Sequence, residues 1–86
     1  MDPIKAETLA LKALAYLAQS DEELERFVAI SGVTPANLRA RAGEPEILAA
    51  VLDFVLADDG RVTGFCEAAE IDPRELHAAR RALPGA

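Results

Sequence analysis

The stretch PEILAAVLDFVLA, residues 45–57, decides the fold of this chain, because as a helix it is apolar on nearly every face. A surface helix carries one apolar stripe, whereas an all-round apolar helix belongs in the interior. The earlier stretch TLALKALAYLA, residues 8–18, has the same character. We therefore expect two central helices packed against each other, with Lys12 and Asp53 marking the narrow exposed strip of each.

These two stretches are equivalent segments of an internal repeat. Residues 7–41 align with residues 45–79 without a gap, at a constant offset of 38 residues. The identical pairs include Phe27 with Phe65, Pro35 with Pro73, Leu38 with Leu76, and Leu14 with Leu52. Such a repeat predicts one supersecondary unit made twice. It leaves open whether the halves are related by a pseudo-twofold axis or by translation.

Capping residues mark where the helices start. A side-chain oxygen at the N-cap satisfies a free amide of the first turn, and a proline at the next position loses no hydrogen bond. This pairing occurs at Asp2-Pro3, Thr34-Pro35 and Asp72-Pro73, with a weaker version at Glu44-Pro45. Capping-box spacing joins Ser20 to Glu23 and Asp72 to Glu75, and Asp58 can cap one further helix.

Glycines mark where helices end. Gly32 and Gly43 follow helical patterns, at the place where a residue past the C-cap often needs positive φ, and Pro84-Gly85 closes the chain. The predicted helices span residues 3–18, 21–31, 35–42, 45–57, 59–69 and 73–82. Each repeat is then a long, a medium and a short helix joined by tight turns.

The two copies differ inside the medium helix. The second copy has Gly60 and Gly64 where the first has Glu22 and Arg26. Each glycine in a helix interior costs about 0.5–1 kcal/mol relative to alanine. We therefore expect helix 59–69 to be the less stable of its pair.

Composition restricts the class of protein. At 86 residues the chain forms one small domain, and its net charge of −6 disfavours binding to the phosphates of nucleic acid. With Cys66 as the one cysteine, no internal disulfide can form. No signal peptide is recognisable, and the apolar stretches are too short to span a bilayer. We therefore expect a cytoplasmic location.

The segment FVAISGVTPANL, residues 27–38, resembles a helix-turn-helix, since a helix, a glycine and a hydroxyl cap precede a second helix. The arginines on the following helices of the two copies are the candidate nucleic-acid contacts: Arg39, Arg41, Arg74, Arg80 and Arg81. The competing explanation is two ordinary helix corners, with arginines near C-termini where the helix dipole favours them. The acidic total favours this second explanation.

Three features invite a catalytic or metal-binding hypothesis, and each has a structural explanation. Cys66 aligns with a valine of the first copy, so a buried small side chain is expected there. His77, the one histidine, aligns with Arg39 on the presumed outer face. The acidic runs 21–23 and 58–59 lie in first turns, where the dipole stabilises negative charge. We predict no catalytic, cofactor-binding or metal-binding residue, and no enzyme.

A family resemblance extends over nearly the whole chain, from about residue 6 to residue 83. The segments LERFVAISGVTPANLR, residues 24–39, and LAAVLDFVLADD, residues 48–59, resemble a family of short helical alphaproteobacterial proteins, the domain of unknown function number 3572. Its motifs here are Arg26-Phe27, Thr34-Pro35 with Leu38, Leu52-Asp53-Phe54, and Asp72-Pro73. The resemblance implies a bacterial cytosolic helical protein and transfers no site residue.

The sequence therefore predicts an all-α domain over residues 1–86, with about six helices in two similar three-helix halves around two central apolar helices. Its expected role is non-catalytic protein–protein interaction, as an adaptor or through self-association, with no cofactor and no membrane. The apolar excess of the two central helices suggests this role, because a small core does not need all of it. The alternative is a weak helix-turn-helix regulator that binds DNA.

Overall fold

The computed structural model describes residues 1–84 and consists of six α-helices. They are α1 (Pro3–Ala18), α2 (Asp21–Ser31), α3 (Pro35–Arg41), α4 (Pro45–Leu56), α5 (Asp59–Ala69) and α6 (Pro73–Arg81). No strand occurs in this part of the chain, so the all-α prediction is confirmed. The predictions for α3, α4 and α6 ran one residue too far. Gly85, assigned to the closing turn, lies outside the described residues.

Side-chain caps start five of the six helices, as the sequence predicted. The capping residues are Asp2, Ser20, Thr34, Asp58 and Asp72, each accepting a hydrogen bond from an amide of the first turn. Glu44, the weaker candidate, makes no such bond among the described residues. The capping box at Ser20 is half formed, because the Glu23 amide donates to the Ser20 hydroxyl but the Glu23 carboxylate binds Arg61. The box at Asp72 does not form, because its carboxylate accepts from the Arg74 amide and not from that of Glu75.

Helix α4 lies at the centre of the core. Seven of its residues are buried: Ile47, Leu48, Ala49, Val51, Leu52, Phe54 and Val55. Helix α1 packs on α4 more extensively than any other helix does, as predicted. Helix α1 also packs on α2, α5 and α6, and the exposed strip expected beside Lys12 is wider than predicted, because Leu11 is 43% exposed and Ile4 is 72% exposed. Lys12 and Asp53 are both exposed, as expected.

Two aromatic pairs connect the halves reciprocally. Tyr16 contacts Phe65 edge to face with ring centroids 5.6 Å apart, and Phe27 contacts Phe54 in the same way at 5.6 Å. Tyr16 and Phe54 are equivalent in the repeat, as are Phe27 and Phe65. Exchanging the two halves therefore converts one contact into the other. A translation would not produce this exchange, so we infer a pseudo-twofold relation between α1–α2 and α4–α5.

A salt bridge crosses the inferred axis. Glu23 and Arg61 occupy equivalent positions, 38 residues apart, so they meet each other across the axis. The Arg61 guanidinium donates from Nε and Nη2 to the Glu23 carboxylate at 3.1–3.2 Å. It also lies 4.0 Å from the ring centroid of Phe54, and its side chain is 15% exposed. This partly buried ion pair links α2 to α5.

The third helices of the two halves pack differently. Helix α6 packs against α1, α4 and α5, and buries Leu76 and Ala79 completely. Within residues 1–84, α3 has no comparably extensive contact with another helix, and Leu38 is its only buried residue. The position of Ala79 is occupied in α3 by Arg41, whose side chain is exposed and paired with Glu44. A small residue lets helices approach closely, and a long cation does not.

Close packing against Tyr16 explains why residue 64 is glycine. A Cβ atom built on Gly64 would collide with the hydroxyl oxygen of Tyr16. In the other half the residue equivalent to Tyr16 is Phe54, which has no hydroxyl, and the residue equivalent to Gly64 is Arg26. The glycine therefore accompanies the tyrosine, because close approach to the hydroxyl excludes a side chain.

The turns after α2 and α5 share one backbone conformation despite different residues. Gly32 has φ 77° and ψ 0°, in the left-handed region. Its equivalent, Glu70, has φ 55° and ψ 47°, also left-handed. A residue with a Cβ atom is disfavoured in this region, whereas glycine enters it freely. The turn after α5 thus has the same backbone geometry as the turn after α2, and Glu70 is strained in adopting it.

Candidate interaction surface

An open groove separates α2 from α3 and has a volume of about 410 Å³. Its apolar lining consists of Leu24, Val28, Ala29, Pro35 and Leu38. Leu38 is the one buried residue of α3, and α3 packs little on the other helices, so space is left between α2 and α3.

The equivalent surface of the second half places its charges at different positions. Ala29 is exposed on the groove, and its repeat equivalent on α5 is Glu67, also exposed. Val28 is half-buried beside Ala29, whereas its equivalent, Cys66, is buried. The two halves thus differ at one exposed position, which is alanine in the first half and glutamate in the second, whereas Glu25 of the first half aligns with Thr63 of the second. The alignment of Ala29 with Glu67 in the repeat is the sequence signal of this difference.

Charges of opposite sign flank the groove. Asp21 and Glu25 line it from α2, where their spacing of four residues places both carboxylates on one helix face. Arg39 lines it from α3 and makes no ion pair with the described residues. The α2 wall is therefore acidic, and it suits a cationic ligand above an apolar floor.

A second exposed apolar surface lies on α1. Ile4 is 72% exposed and Leu11 is 43% exposed, and their spacing of seven residues places them on the same helix face. Lys5 and Lys12, the two lysines of the chain, follow them directly, and both are exposed. We call this surface, Ile4–Lys5 with Leu11–Lys12, the α1 outer face. Ile30, which is 72% exposed on α2, does not line the groove.

Three of the five arginines proposed as nucleic-acid contacts are paired with carboxylates. Arg41 binds Glu44, Arg74 binds Asp72 at 3.1 Å, and Arg80 binds Asp53 at 2.6 Å. Hydrogen bonding to Arg41 holds the pKa of Glu44 below its usual range, and Arg74 does the same for the pKa of Asp72. Arg39 and Arg81 form no ion pair within residues 1–84. Paired cations neutralise phosphates poorly, so this geometry gives the DNA hypothesis little support.

The helix corner of residues 27–38 forms as predicted. Helix α2 ends at Ser31, the left-handed Gly32 turns the chain, and the Thr34 hydroxyl accepts from the Asn37 amide at the start of α3. The Ser31 hydroxyl accepts from the Val33 amide inside the turn. These bonds explain the motif as a capped corner. Its use in DNA recognition stays a prediction.

The reactive side chains occupy the environments that the repeat predicted. Cys66 is buried, with 5% exposure, and burial raises the pKa of its thiol, so the unreactive protonated form is favoured. His77 is exposed on α6. The acidic runs lie at the starts of α2 and α5, where Asp58 is the N-cap of α5. Within residues 1–84, no three histidine, cysteine or acidic side chains converge as a metal ion would need.

A second concavity, of about 390 Å³, opens at the inferred axis beside Glu23 and Arg61. Tyr16, Gln19 and Ser20 also line it. The guanidinium and the carboxylate there bind each other, and the Ser20 hydroxyl is used as a helix cap. Glu23 and Arg61 of this concavity are therefore paired with each other, in contrast to Arg39 of the α2–α3 groove.

The fold and its surface define a class: a small all-α domain with an open apolar groove. None of the helices within residues 1–84 combines the length and apolarity that crossing a bilayer requires. The chain belongs to the family described as protein of unknown function (DUF3572), whose model matches residues 4–86, so the family resemblance is confirmed. No curated protein and no solved structure matches the chain.

Proposed function

We propose that the chain is a small, non-catalytic, cytosolic interaction domain that binds another polypeptide in the α2–α3 groove. The observation that carries this proposal is the apolar floor of this groove together with the exposed alanine on its α2 wall. The first half exposes Ala29 above an apolar floor, whereas the second half has Glu67 at the equivalent position. Helices in partner proteins commonly bind in apolar grooves of this kind.

The apolar surface of the core helices supports this proposal only in part. Helix α4 uses its apolar residues inside the domain, so the apolar excess expected there is absorbed by the core. The surplus lies instead on α1 and in the groove, where apolar side chains meet solvent. Exposed apolar patches on a small domain are typical of binding surfaces.

The decisive variant is Ala29→Glu, which places in the groove the residue that the second copy has at the same position. Ala29 is exposed, so the fold should tolerate the change. We expect the variant to lose a polypeptide that wild type retains in pull-downs from native lysate, with recovered proteins identified by mass. The matched control is Glu67→Ala, which should retain it. An identical set of proteins on all three baits would contradict the proposal.

A further inference from the structure

We infer that the groove binds the α1 outer face of a second copy of this chain, an inference that rests on the proposed function of the groove. The occupant should bring an apolar helix face with positive charge, because the groove has an apolar floor and a net acidic lining, with Asp21 and Glu25 on α2 against Arg39 on α3. The α1 outer face has both properties. Ile4 and Leu11 supply the apolar contacts, and Lys5 and Lys12 supply the charge.

The spacing on α1 suits a helix laid along a groove. Residues 4 and 11 are two turns apart on one helix face, which is about 10 Å along the axis at 1.5 Å per residue. Anchors with this spacing are typical of helix-in-groove recognition. Within residues 1–84, the large hydrophobic residues that are exposed are Met1, Ile4, Leu11 and Ile30. Three of the four thus lie on or next to the first helix.

The charges favour this pairing over one between identical surfaces. Both lysines of the chain lie on α1, and Asp21 and Glu25 lie on the groove wall of α2. Each groove carries two carboxylates and one guanidinium, so groove against groove would oppose two surfaces of net negative charge, and α1 against α1 would bring the lysines together. Joining α1 to the groove places opposite charges in contact, although the whole chain carries −6.

The resulting contact is heterologous, because each copy contributes a different surface. One copy offers its α1 outer face and its neighbour offers the groove, so each contact leaves one free surface of each kind. Association of this type continues head to tail unless the rotation between copies closes a ring. The buried apolar area is small, so we expect the weak association typical of transient interfaces.

Sedimentation velocity of the purified full chain across a concentration series tests the inference. Wild type should self-associate as concentration rises. Leu11→Glu and Ala29→Glu should each weaken association at least tenfold, by charging the α1 outer face and the groove respectively. Ile30→Glu makes the same kind of change on α2 outside the groove and should associate like wild type. Circular dichroism melts would verify that each variant is folded, and Lys12→Glu provides a second, milder change on α1.

Mixing the two weakened variants gives the sharpest result. The Ala29→Glu chain keeps its α1 outer face and the Leu11→Glu chain keeps its groove, so one intact contact can form between them. We expect the mixture to give a 1:1 dimer that does not grow further. If the mixture of the two variants does not associate, or if each variant associates only with wild type, the inference is overturned.

The outcomes separate this inference from the proposed function. A wild-type chain that stays monomeric at high concentration, while lysate pull-downs still show a protein lost with Ala29→Glu, would mean that another protein fills the groove. The proposed function would then stand and the second copy would be rejected. If neither self-association nor binding sensitive to Ala29→Glu is found, both proposals are rejected.

Discussion

Replacing Gly64 with alanine should destabilise this protein, although alanine is the better helix former. Gly64 lies inside α5, where alanine would ordinarily gain about 0.5–1 kcal/mol. The new Cβ atom would overlap the hydroxyl oxygen of Tyr16, so the ring must move. That ring packs edge to face on Phe65 with centroids 5.6 Å apart, so its movement disturbs the core.

The magnitude follows from these opposing effects. Forcing extra volume into a packed site costs about 1–3 kcal/mol. Loss of the edge-to-face contact between Tyr16 and Phe65 accounts for about 0.5–1.5 kcal/mol of such a cost. After the gain in helix propensity, we expect Gly64→Ala to lower the free energy of unfolding by about 1 kcal/mol. In a domain of this size that corresponds to a Tm lower by about 4–8 °C.

A double-mutant cycle isolates the cause. Tyr16→Phe removes the hydroxyl oxygen and reproduces the residue that the second copy has at this position, Phe54. In that background Gly64→Ala should stabilise the protein by about 0.5–1 kcal/mol, because only the propensity term is left. The coupling energy between the two changes should then be about 2 kcal/mol.

Urea unfolding followed by circular dichroism would measure all four proteins of this cycle. If Gly64→Ala has the same effect with Tyr16 as with phenylalanine, the hydroxyl contact does not explain the glycine. A gain in stability in both backgrounds would refute the reasoning outright, since it would show that the site has room for a Cβ atom.

Three further predictions concern positions where the two copies differ or meet. Glu70→Gly should raise the free energy of unfolding by about 0.5–1 kcal/mol and Gly32→Glu should lower it by a similar amount, because both positions are left-handed; urea titrations in which both changes shift stability in the same direction would contradict this. Arg61→Glu should cost about 2 kcal/mol, and adding Glu23→Arg should recover most of it by restoring the ion pair with its charges exchanged; thermal melts would detect a failure to recover. Burial raises the pKa of the Cys66 thiol, so its stabilising contribution is present below the unfolded pKa of about 8.5 and is lost as pH rises through the folded value. Between pH 7 and pH 10 the free energy of unfolding should therefore fall less for Cys66→Val than for wild type. Equal slopes of this free energy against pH would count against the burial effect.

The helices were predictable from the sequence because their signals are local. A cap such as Ser20 bonds to an amide three residues away, and Pro45 acts on its own turn, so neither depends on the tertiary fold. The central position of α4 was predictable because apolar residues cover all its faces. For α1 the same reasoning predicted the packing on α4 but not the width of the exposed strip. Leu11 was expected inside because it is apolar, and only the packing shows that it meets solvent.

The groove was beyond local reasoning, because it depends on how α3 sits. Leu38 and Leu76 are identical in the repeat, so the sequence predicts the same packing for α3 and α6. The helices diverge because Arg41 pairs with Glu44 at the surface, whereas Ala79 enters the core. Whether α3 or α6 reaches the core also depends on the space left beside α1 and α4, which a local sequence pattern does not specify.

By itself the sequence determined the six helices, their caps, the central place of α4 and the fate of Cys66, because hydrogen bonding within a turn and the apolar pattern of a helix are read along the chain. The tertiary structure alone decided which surfaces stay open. Two features depend on distances between segments far apart in the chain: the pairing of Glu23 with Arg61 and the contact of Gly64 with Tyr16. The exposed groove beside Ala29 depends on how loosely α3 packs. Such distances follow from packing of the whole core, which a pattern of neighbouring residues does not specify.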